Sequence, residues 1–196
     1  MSDSPIGGKW TTLSRDMHFS NDHLAVMTER IRTPAREEPS TWTIVQRKSA
    51  VVIAAMTAEG KLLLVRQERI PIRDTIWEMP AGQVDEVCDV GSFKDVALRE
   101  LREETGYELT PGGEIFFLGD FFCSPGFTDE REFLFLVRPV RPHANGPAHG
   151  EQESILDCQE FSAVELTKMI ADGDIRDANT LATFARLVAR GLISPG

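Results

Sequence analysis

The sequence has few cysteines and no long apolar run, and each absence narrows the kinds of protein it can encode. Its 196 residues include 3 cysteines, and Cys88, Cys123 and Cys158 stand far apart without a C-x-x-C pair. This scattered set predicts neither a zinc site nor a disulfide framework, and it is typical of free thiols in a reducing compartment. We therefore expect a cytoplasmic protein.

Membrane and nucleic-acid partners are also excluded on composition. The longest apolar run, Ala50 to Met56, suits a buried strand and is far too short for a membrane span. The segment Met1 to Trp10 is polar and lacks the apolar core of a secretory signal. The net charge of −10, from 31 acidic and 21 basic residues, repels a nucleic-acid backbone. A small anionic substrate remains compatible with this charge, because a bound cation and a few arginines can reverse it locally.

Apolar patterning predicts strands along most of the chain and two helices near its end. The first three strands predict a β-sheet extension over residues 1–47, attached to a main domain of residues 48–196. Arg138 to Gly150, with three prolines and two glycines, is predicted to be a long loop. The predicted strands are Trp10–Leu13, Leu24–Ile31, Trp42–Val45, Ala50–Met56, Leu62–Val65, Glu114–Phe122, Phe133–Val137 and Ile155–Phe161, and the predicted helices are Ala163–Ala171 and Asn179–Ala189.

A further helix, in the middle of the chain, carries a cluster of glutamates. Ser92 is predicted to cap this helix and Gly106 to end it. Helical spacing places Glu100 beside Glu103 and Glu104, one turn along. Each like-charge pair costs about 0.2–0.5 kcal/mol in an isolated helix. Spacing alone leaves two interpretations open: a solvated acidic face, or ligands for a hard divalent cation such as magnesium.

The residues around this cluster resemble the Nudix box. The run Arg99-Glu100-Leu101-Arg102-Glu103-Glu104-Thr105-Gly106-Tyr107 fits the second half of the family pattern, R-E-U-x-E-E-x-G-U, where U is bulky and apolar. The first half departs from the pattern, because Gly82 lies three residues too far from Arg99. The family's first glutamate therefore falls on Gly91. Glu86 or Asp89, in the lengthened loop 84–90, is its expected substitute.

The resemblance implies a Nudix fold, which is an α/β/α sandwich of the α+β class with a mixed sheet flanked by helices. It implies a hydrolase that uses Mg²⁺, or Mn²⁺ in its place, to cleave X-linked nucleoside diphosphates by water attack on phosphorus. The implied metal ligands are Glu100, Glu103, Glu104 and the backbone carbonyl of Ala81. Glu103 is implied as a ligand or a water-orienting group, and Arg99 as the residue that orients the glutamates.

The same resemblance implies roles for residues outside the box. Arg69 occupies the place where related enzymes hold a substrate phosphate, although an exposed arginine is an equal alternative. Glu78 is expected to line the floor of the site. A glutamate from a loop late in the chain serves as general base in the family's ADP-ribose branch, and Glu151 and Glu153 both suit that role.

Three features resemble the ADP-ribose pyrophosphatase subfamily: the S-P-G segment at Ser124, the tryptophans Trp10 and Trp42 that would stack on adenine, and the helix entry Gly173–Thr180. The subfamily implies hydrolysis of ADP-ribose to AMP and ribose 5-phosphate. It also implies a homodimer that exchanges N-terminal sheets. Two alternatives remain: a Nudix hydrolase of another nucleotide sugar such as GDP-mannose, and a non-catalytic Nudix sensor that binds ADP-ribose.

Overall fold

The computed structural model describes residues 9–84, 90–150 and 154–196, and the chain divides into two compact units. The N-terminal unit contains the chain as far as Lys48, together with Phe122–Glu130. The main unit contains Ser49–Phe121 and Arg131–Gly196. In the described part of the chain, no helix has the length and hydropathy that crossing a membrane requires.

The N-terminal unit is built on a three-stranded antiparallel sheet in the order β1–β2–β3. The strands are Thr11–Ser20, Leu24–Arg32 and Ser40–Arg47. The turn between β1 and β2 depends on Asn21, whose Oδ1 accepts the backbone N–H groups of His23 and Leu24, each at 2.9 Å. Such local bonding is why asparagine favours turns. The β3 strand is bonded to the segment 122–130, because the N–H of Val45 donates to the carbonyl of Phe127 at 2.8 Å.

The main unit contains a mixed sheet with a helical layer on each face. Its central path runs β10–β5–β4–β9–β8, with β6 paired to β5 and β7 paired to β4. The β4 and β9 strands are parallel, whereas β4–β5, β4–β7, β5–β6 and β5–β10 are antiparallel. The elements are β4 (Ala50–Thr57), β5 (Leu62–Arg69), β6 (Asp74–Glu78), β7 (Ala81–Gln83), α1 (Val90–Glu100), β8 (Tyr107–Phe122), β9 (Arg131–Pro142), β10 (Ile155–Phe161), α2 (Ala163–Asp172) and α3 (Ala178–Ala189).

The alternating side chains of β4 separate two hydrophobic cores. Its odd-numbered residues, such as Ile53, pack with Phe93 and Ala97 of α1. Its even-numbered residues, such as Ala54, pack with Leu166 of α2 and with α3. A central strand that is buried on both faces explains why the run Ala50 to Met56 is apolar throughout. This arrangement confirms the predicted α/β/α sandwich.

Several predicted boundaries were wrong. The central helix begins at Val90, so Ser92 lies inside it and does not cap it. The predicted loop from Arg138 is strand as far as Pro142, which leaves a shorter loop over 143–150. The first strand starts at Thr11 and extends to Ser20. The short strands β6 and β7 were not predicted, because each has too few residues to show a period.

Candidate active site

The glutamate cluster lies where α1 changes its helical geometry. After Glu100 the chain continues as a π-helical turn, Leu101–Thr105, and Gly106 ends it with φ of +71°. Such π-helical turns are rare and are frequent at functional sites. Leu101 is fully buried against the sheet. The turn is therefore held on one side by the core while Glu103 and Glu104 project from it.

Two of the three glutamates are buried. Glu100 is 6% exposed and Glu104 is 4% exposed. The guanidinium of Arg99 joins two members of the cluster, because it lies 2.7 Å from Glu100 Oε1 and 2.8 Å from Glu103 Oε2. Burying carboxylates requires compensating positive charge and hydrogen bonds. Arg99 supplies positive charge to Glu100 and Glu103.

Strand β7 meets this cluster through its backbone. The N–H of Ala81 donates to Glu104 Oε2 at 3.0 Å. A Cβ on Gly82 would lie 2.0 Å from Glu100 Cδ, so any side chain at this position would collide with that glutamate. Glycine therefore permits this close approach without displacing the Glu100 side chain. The contacts of Ala81 and Gly82 with Glu104 and Glu100 bring the two halves of the sequence pattern together.

The chemical type of these side chains suits a hard divalent cation. Glu100, Glu103 and Glu104 lie around this turn with the backbone of Ala81 beside Glu104, and carboxylate and carbonyl oxygens are the donors that Mg²⁺ prefers. The residues that would hold it are Glu100, Glu103 and Glu104, together with the carbonyl of Ala81. Glu100 and Glu104 are buried carboxylates, and a cation bound beside them would be attracted by their negative charge.

Arg69 and Glu78 form a close pair on neighbouring strands β5 and β6. Arg69 Nε lies 2.9 and 3.0 Å from the two oxygens of Glu78, and Nη2 also donates to Oε2. Burial raises the pKa of Glu78, an effect that the bonds from Arg69 oppose. The hydrogen bonds that Arg69 donates to Glu78 raise the pKa of Arg69. The pair fixes the guanidinium while leaving it partly exposed.

A separate groove of about 530 Å³ lies within the N-terminal unit. Trp10 and Trp42 both line it, and they are 63% and 49% exposed. The indole Nε1 of Trp42 donates to the carbonyl of Gly126 at 2.8 Å, which fixes the ring against the S-P-G turn. The groove is also lined by Ile31, Thr33, Ala35, Arg36, Ser40, Ile44, Pro125, Gly126, Phe127, Thr128 and Asp129.

The residues predicted from the sequence fall into three groups. Glu100, Glu103, Glu104, Arg99 and Ala81 come together around the π-helical turn. Arg69 and Glu78 form their own pair, and Trp10 and Trp42 share the groove. The carbonyl of Ser124 accepts the N–H groups of Phe127 and Thr128, so this residue builds the turn behind the groove. The candidate bases Glu151 and Glu153, and the candidate ligands Glu86 and Asp89, lie outside the described residues.

The groove also contains residues that the sequence did not single out. Arg36 donates to Ser40 Oγ at 2.8 Å and lines the groove, and Phe127 and Asp129 line it from the other segment. The signal for Phe127 and Asp129 was present, because both belong to the run that follows Ser124. Arg36 lay in a predicted loop and gave no signal of its own.

Comparison with known proteins places these features in a family. The NUDIX domain model matches residues 46–184. The chain is 31% identical over 170 residues to the ADP-ribose pyrophosphatase of Bacillus subtilis (strain 168), covering 86% of this chain and 87% of that protein. It is also 31% identical over 170 residues to the methanol dehydrogenase activator of Bacillus methanolicus, covering 87% of this chain and 88% of that protein.

More distant matches agree on the fold. The GDP-mannose pyrophosphatase of Pectobacterium atrosepticum is 28% identical over 151 residues, covering 75% of this chain and 76% of that protein. A crystal structure of an ADP compounds hydrolase superposes with a TM-score of 0.76 at 16% identity, covering 95% of this chain and 98% of that one. At that identity the superposition supports the architecture and not the substrate.

Proposed function

This chain belongs to the NUDIX domain family and is a Nudix hydrolase, and from that membership we propose that it hydrolyses the diphosphate of ADP-ribose to AMP and ribose 5-phosphate with Mg²⁺. Mn²⁺ is the expected substitute. The observation that carries the proposal is the packing of Ala81 and Gly82 against Glu104 and Glu100. This packing supports the proposal because it brings the strand that carries Ala81 and Gly82 against two of the proposed ligands.

The residues of the cluster have distinct roles in this proposal. Glu100 and Glu104 are the principal ligands, and the Ala81 carbonyl completes the set. Glu103 is a ligand or orients the attacking water. Arg99 fixes the carboxylates of Glu100 and Glu103 through its two ion pairs. A bound Mg²⁺ would neutralise the diphosphate and lower the pKa of a water molecule.

Arg69 is the proposed phosphate contact. Glu78 accepts its Nε and Nη2 hydrogens, so the guanidinium is held in one orientation before substrate arrives. An oriented arginine recognises phosphate oxygens with little loss of side-chain freedom. Glu78 is therefore proposed to position Arg69 at the floor of the site.

A glutamate of the late loop is the proposed general base. Glu153 and Glu151 are the two candidates, and both directly precede the segment that leads into β10. The base accepts a proton from the attacking water, so its replacement by glutamine lowers kcat and leaves metal binding intact. Comparison of Glu153→Gln with Glu151→Gln identifies which residue acts, since the inactive one of the two is the base.

The groove of the N-terminal unit is the proposed site for the adenine ring. Trp10 and Trp42 expose flat aromatic surface there, and stacking of one base on such a surface contributes about 1–3 kcal/mol. We accordingly assign residues 1–47 to base binding and to dimerisation. The segment at Ser124 supports the Trp42 ring through Gly126.

A homodimer is part of the proposal. Strand β1 lies at the edge of its sheet, and all of its residues are exposed, including Leu13, Met17 and Phe19. Edge strands with large apolar side chains are prone to pair with another chain. A second copy of this chain is the partner that we propose to cover them.

The decisive experiment identifies products from ADP-ribose and Mg²⁺ in water enriched in ¹⁸O. We expect AMP and ribose 5-phosphate, with the label in a phosphate of one product, as attack on phosphorus requires. Glu104→Gln should reduce kcat at least about 100-fold, the upper range for weakening a metal site. The control is Glu59→Gln, which changes an exposed glutamate in the β4–β5 turn and should keep full activity.

Absence of turnover with either metal, or an unimpaired Glu104→Gln, contradicts the proposal. The second candidate substrate is GDP-mannose, which the relative named GDP-mannose pyrophosphatase supports. A panel of nucleotide sugars scored by kcat/KM separates the two. A non-catalytic sensor is the third candidate, and it requires tight ADP-ribose binding without product. The three retained box glutamates favour catalysis over that alternative.

A further inference from the structure

The segment 143–150 comes after β9 and makes three hydrogen bonds to the end of the glutamate-bearing helix and its cap residue Gly106. The N–H of His143 donates to the carbonyl of Gly106 at 2.7 Å. The N–H of Ala148 donates to the carbonyl of Glu103 at 2.9 Å. His149 Nε2 lies 3.0 Å from the carbonyl of Glu104. Because a carbonyl can only accept, Nε2 must carry the proton in this bond.

These hydrogen bonds satisfy backbone carbonyls at the end of the helix. The last carbonyls of any helix have no partner within the helix and must find one elsewhere. Here two of those carbonyls belong to Glu103 and Glu104, the residues whose carboxylates form the cluster. Their backbone is thus fixed by the segment 143–150, while Ala81 binds the Glu104 carboxylate. Glu104 is held at both ends.

The segment is itself compact and close to the turn. The N–H of Gly146 donates to the carbonyl of His143 at 3.1 Å, and the N–H of Asn145 donates to His143 Nδ1 at 3.2 Å. A Cβ on Gly106 would lie 2.6 Å from the nitrogen of Pro147. The two backbones therefore touch, and a shift of either one is passed to the other.

We propose that the segment 143–150 is a clamp that fixes the carboxylates of Glu103 and Glu104 for the cation, and that His149 is its side-chain positioning residue. The inference rests on the proposed function of that cluster as a metal site. His149 acts through the carbonyl of Glu104 and not by contact with substrate. Three hydrogen bonds are described between this segment and the helix end. Two are made by the backbone, and the third is made by the side chain of His149.

The test compares His149→Ala with His149→Gln. His149 is an exposed residue, so its truncation removes the bond without opening a cavity. A glutamine amide donates from a position close to that of Nε2 and should restore the bond. We measure Mn²⁺ binding by electron paramagnetic resonance, the Mg²⁺ dependence of hydrolysis, and the melting temperature. His149→Ala should weaken Mn²⁺ binding about tenfold, as loss of a supporting hydrogen bond does, and His149→Gln should recover most of it.

Asn145→Ala is the matched control. It alters the same segment, but the bond that Asn145 makes to His143 Nδ1 comes from its backbone and survives the change. It should bind Mn²⁺ like the unmodified protein. Glu104→Gln, measured alongside, reports on the metal site itself.

Two results overturn the clamp: unchanged Mn²⁺ affinity in His149→Ala, even if its melting temperature falls, or equal losses of affinity in the alanine and glutamine variants. If the unmodified protein binds Mn²⁺ and Glu104→Gln does not, such a result rejects the clamp alone. If the unmodified protein binds no Mn²⁺, both the clamp and the metal site are rejected.

Discussion

The position of Gly82 makes the glutamate cluster possible. Strand β7 passes so close to α1 that the space for a Cβ is already occupied by the side chain of Glu100. The backbone conformation is not the constraint here, because Gly82 is not among the glycines with positive φ in the described chain. The requirement is one of volume, and it ties a strand residue to a helix residue eighteen positions later.

A double-mutant cycle tests this contact. Gly82→Ala should destabilise the protein by about 1–3 kcal/mol, the usual cost of overpacking, because the new methyl group meets Glu100. In the Glu100→Ala background the same change should cost far less, since the obstructing carboxylate is gone. Urea unfolding of the four proteins measures the coupling. Additive effects of the two substitutions would show that the cost of Gly82→Ala does not come from contact with the Glu100 side chain.

Cys158 on β10 differs from an ordinary surface thiol. Burial, and after it the negative charges of Asp157, Glu104 and Glu160, together raise its pKa from 9.0 to about 12. The side chain packs against the core on the α1 face of the sheet. The thiol therefore stays protonated, and so poorly nucleophilic, at neutral pH.

Because of this thiol, the stability of the folded protein should depend on pH in the alkaline range. Between pH 9 and about 12 the unfolded chain releases the Cys158 proton while the folded chain retains it. The folded state then binds more protons, so its stability falls as pH rises through this window. Urea unfolding at pH 8, 9.5 and 10.5 should show a smaller decline for Cys158→Ala. A decline in Cys158→Ala as steep as that of the unmodified protein, or steeper, would contradict this assignment.

At the scale of elements, the π-helical turn depends on its anchor in the core. Leu101 is fully buried, whereas its neighbour Arg102 is exposed. Leu101→Ala should cost about 2–5 kcal/mol, since it leaves a cavity under the turn. Arg102→Ala should change stability by less than about 0.5 kcal/mol. Equal midpoints of urea unfolding for the two variants would show that Leu101 does not anchor the turn.

The elements themselves were predictable to different degrees. The core strands and the last two helices were found because long apolar runs and helical stripes depend on local sequence. The start of α1 was misplaced, because Ser92 matches a capping pattern while the helix begins two residues earlier, at Val90, and helix ends are weakly specified by local sequence. The change to π geometry had no sequence signal, since the side-chain pattern of one turn is nearly the same in both helices.

In the candidate site too, sequence reasoning found residues that are close along the chain and missed contacts between distant segments. Glu100, Glu103 and Glu104 were predicted because they are close in sequence and helical spacing alone brings them together. The contact of Ala81 with Glu104 joins distant segments, and it entered the prediction only through the family resemblance. Arg36 could not be found, because its place in the groove depends on the path of the whole N-terminal unit.

At the scale of the whole molecule, the exposed face of β1 predicts self-association. Met17→Asp combined with Phe19→Asp places charge on this face and should convert a dimer into a monomer. Val164→Asp, at an exposed apolar position on α2, should leave the dimer intact. Multi-angle light scattering at micromolar concentration distinguishes the two states. A monomeric unmodified protein, or a dimer in the double variant, would remove β1 from the interface.

The closeness of Gly106 to Pro147 has a consequence for sequence variation. Asparagine is usually the best tolerated replacement where the backbone is left-handed, as at Gly173, whose surroundings leave its Cβ position open. At Gly106 that tolerance disappears, since every non-glycine residue has the Cβ that Pro147 obstructs. A library covering both positions should therefore recover asparagine at 173 and glycine alone at 106.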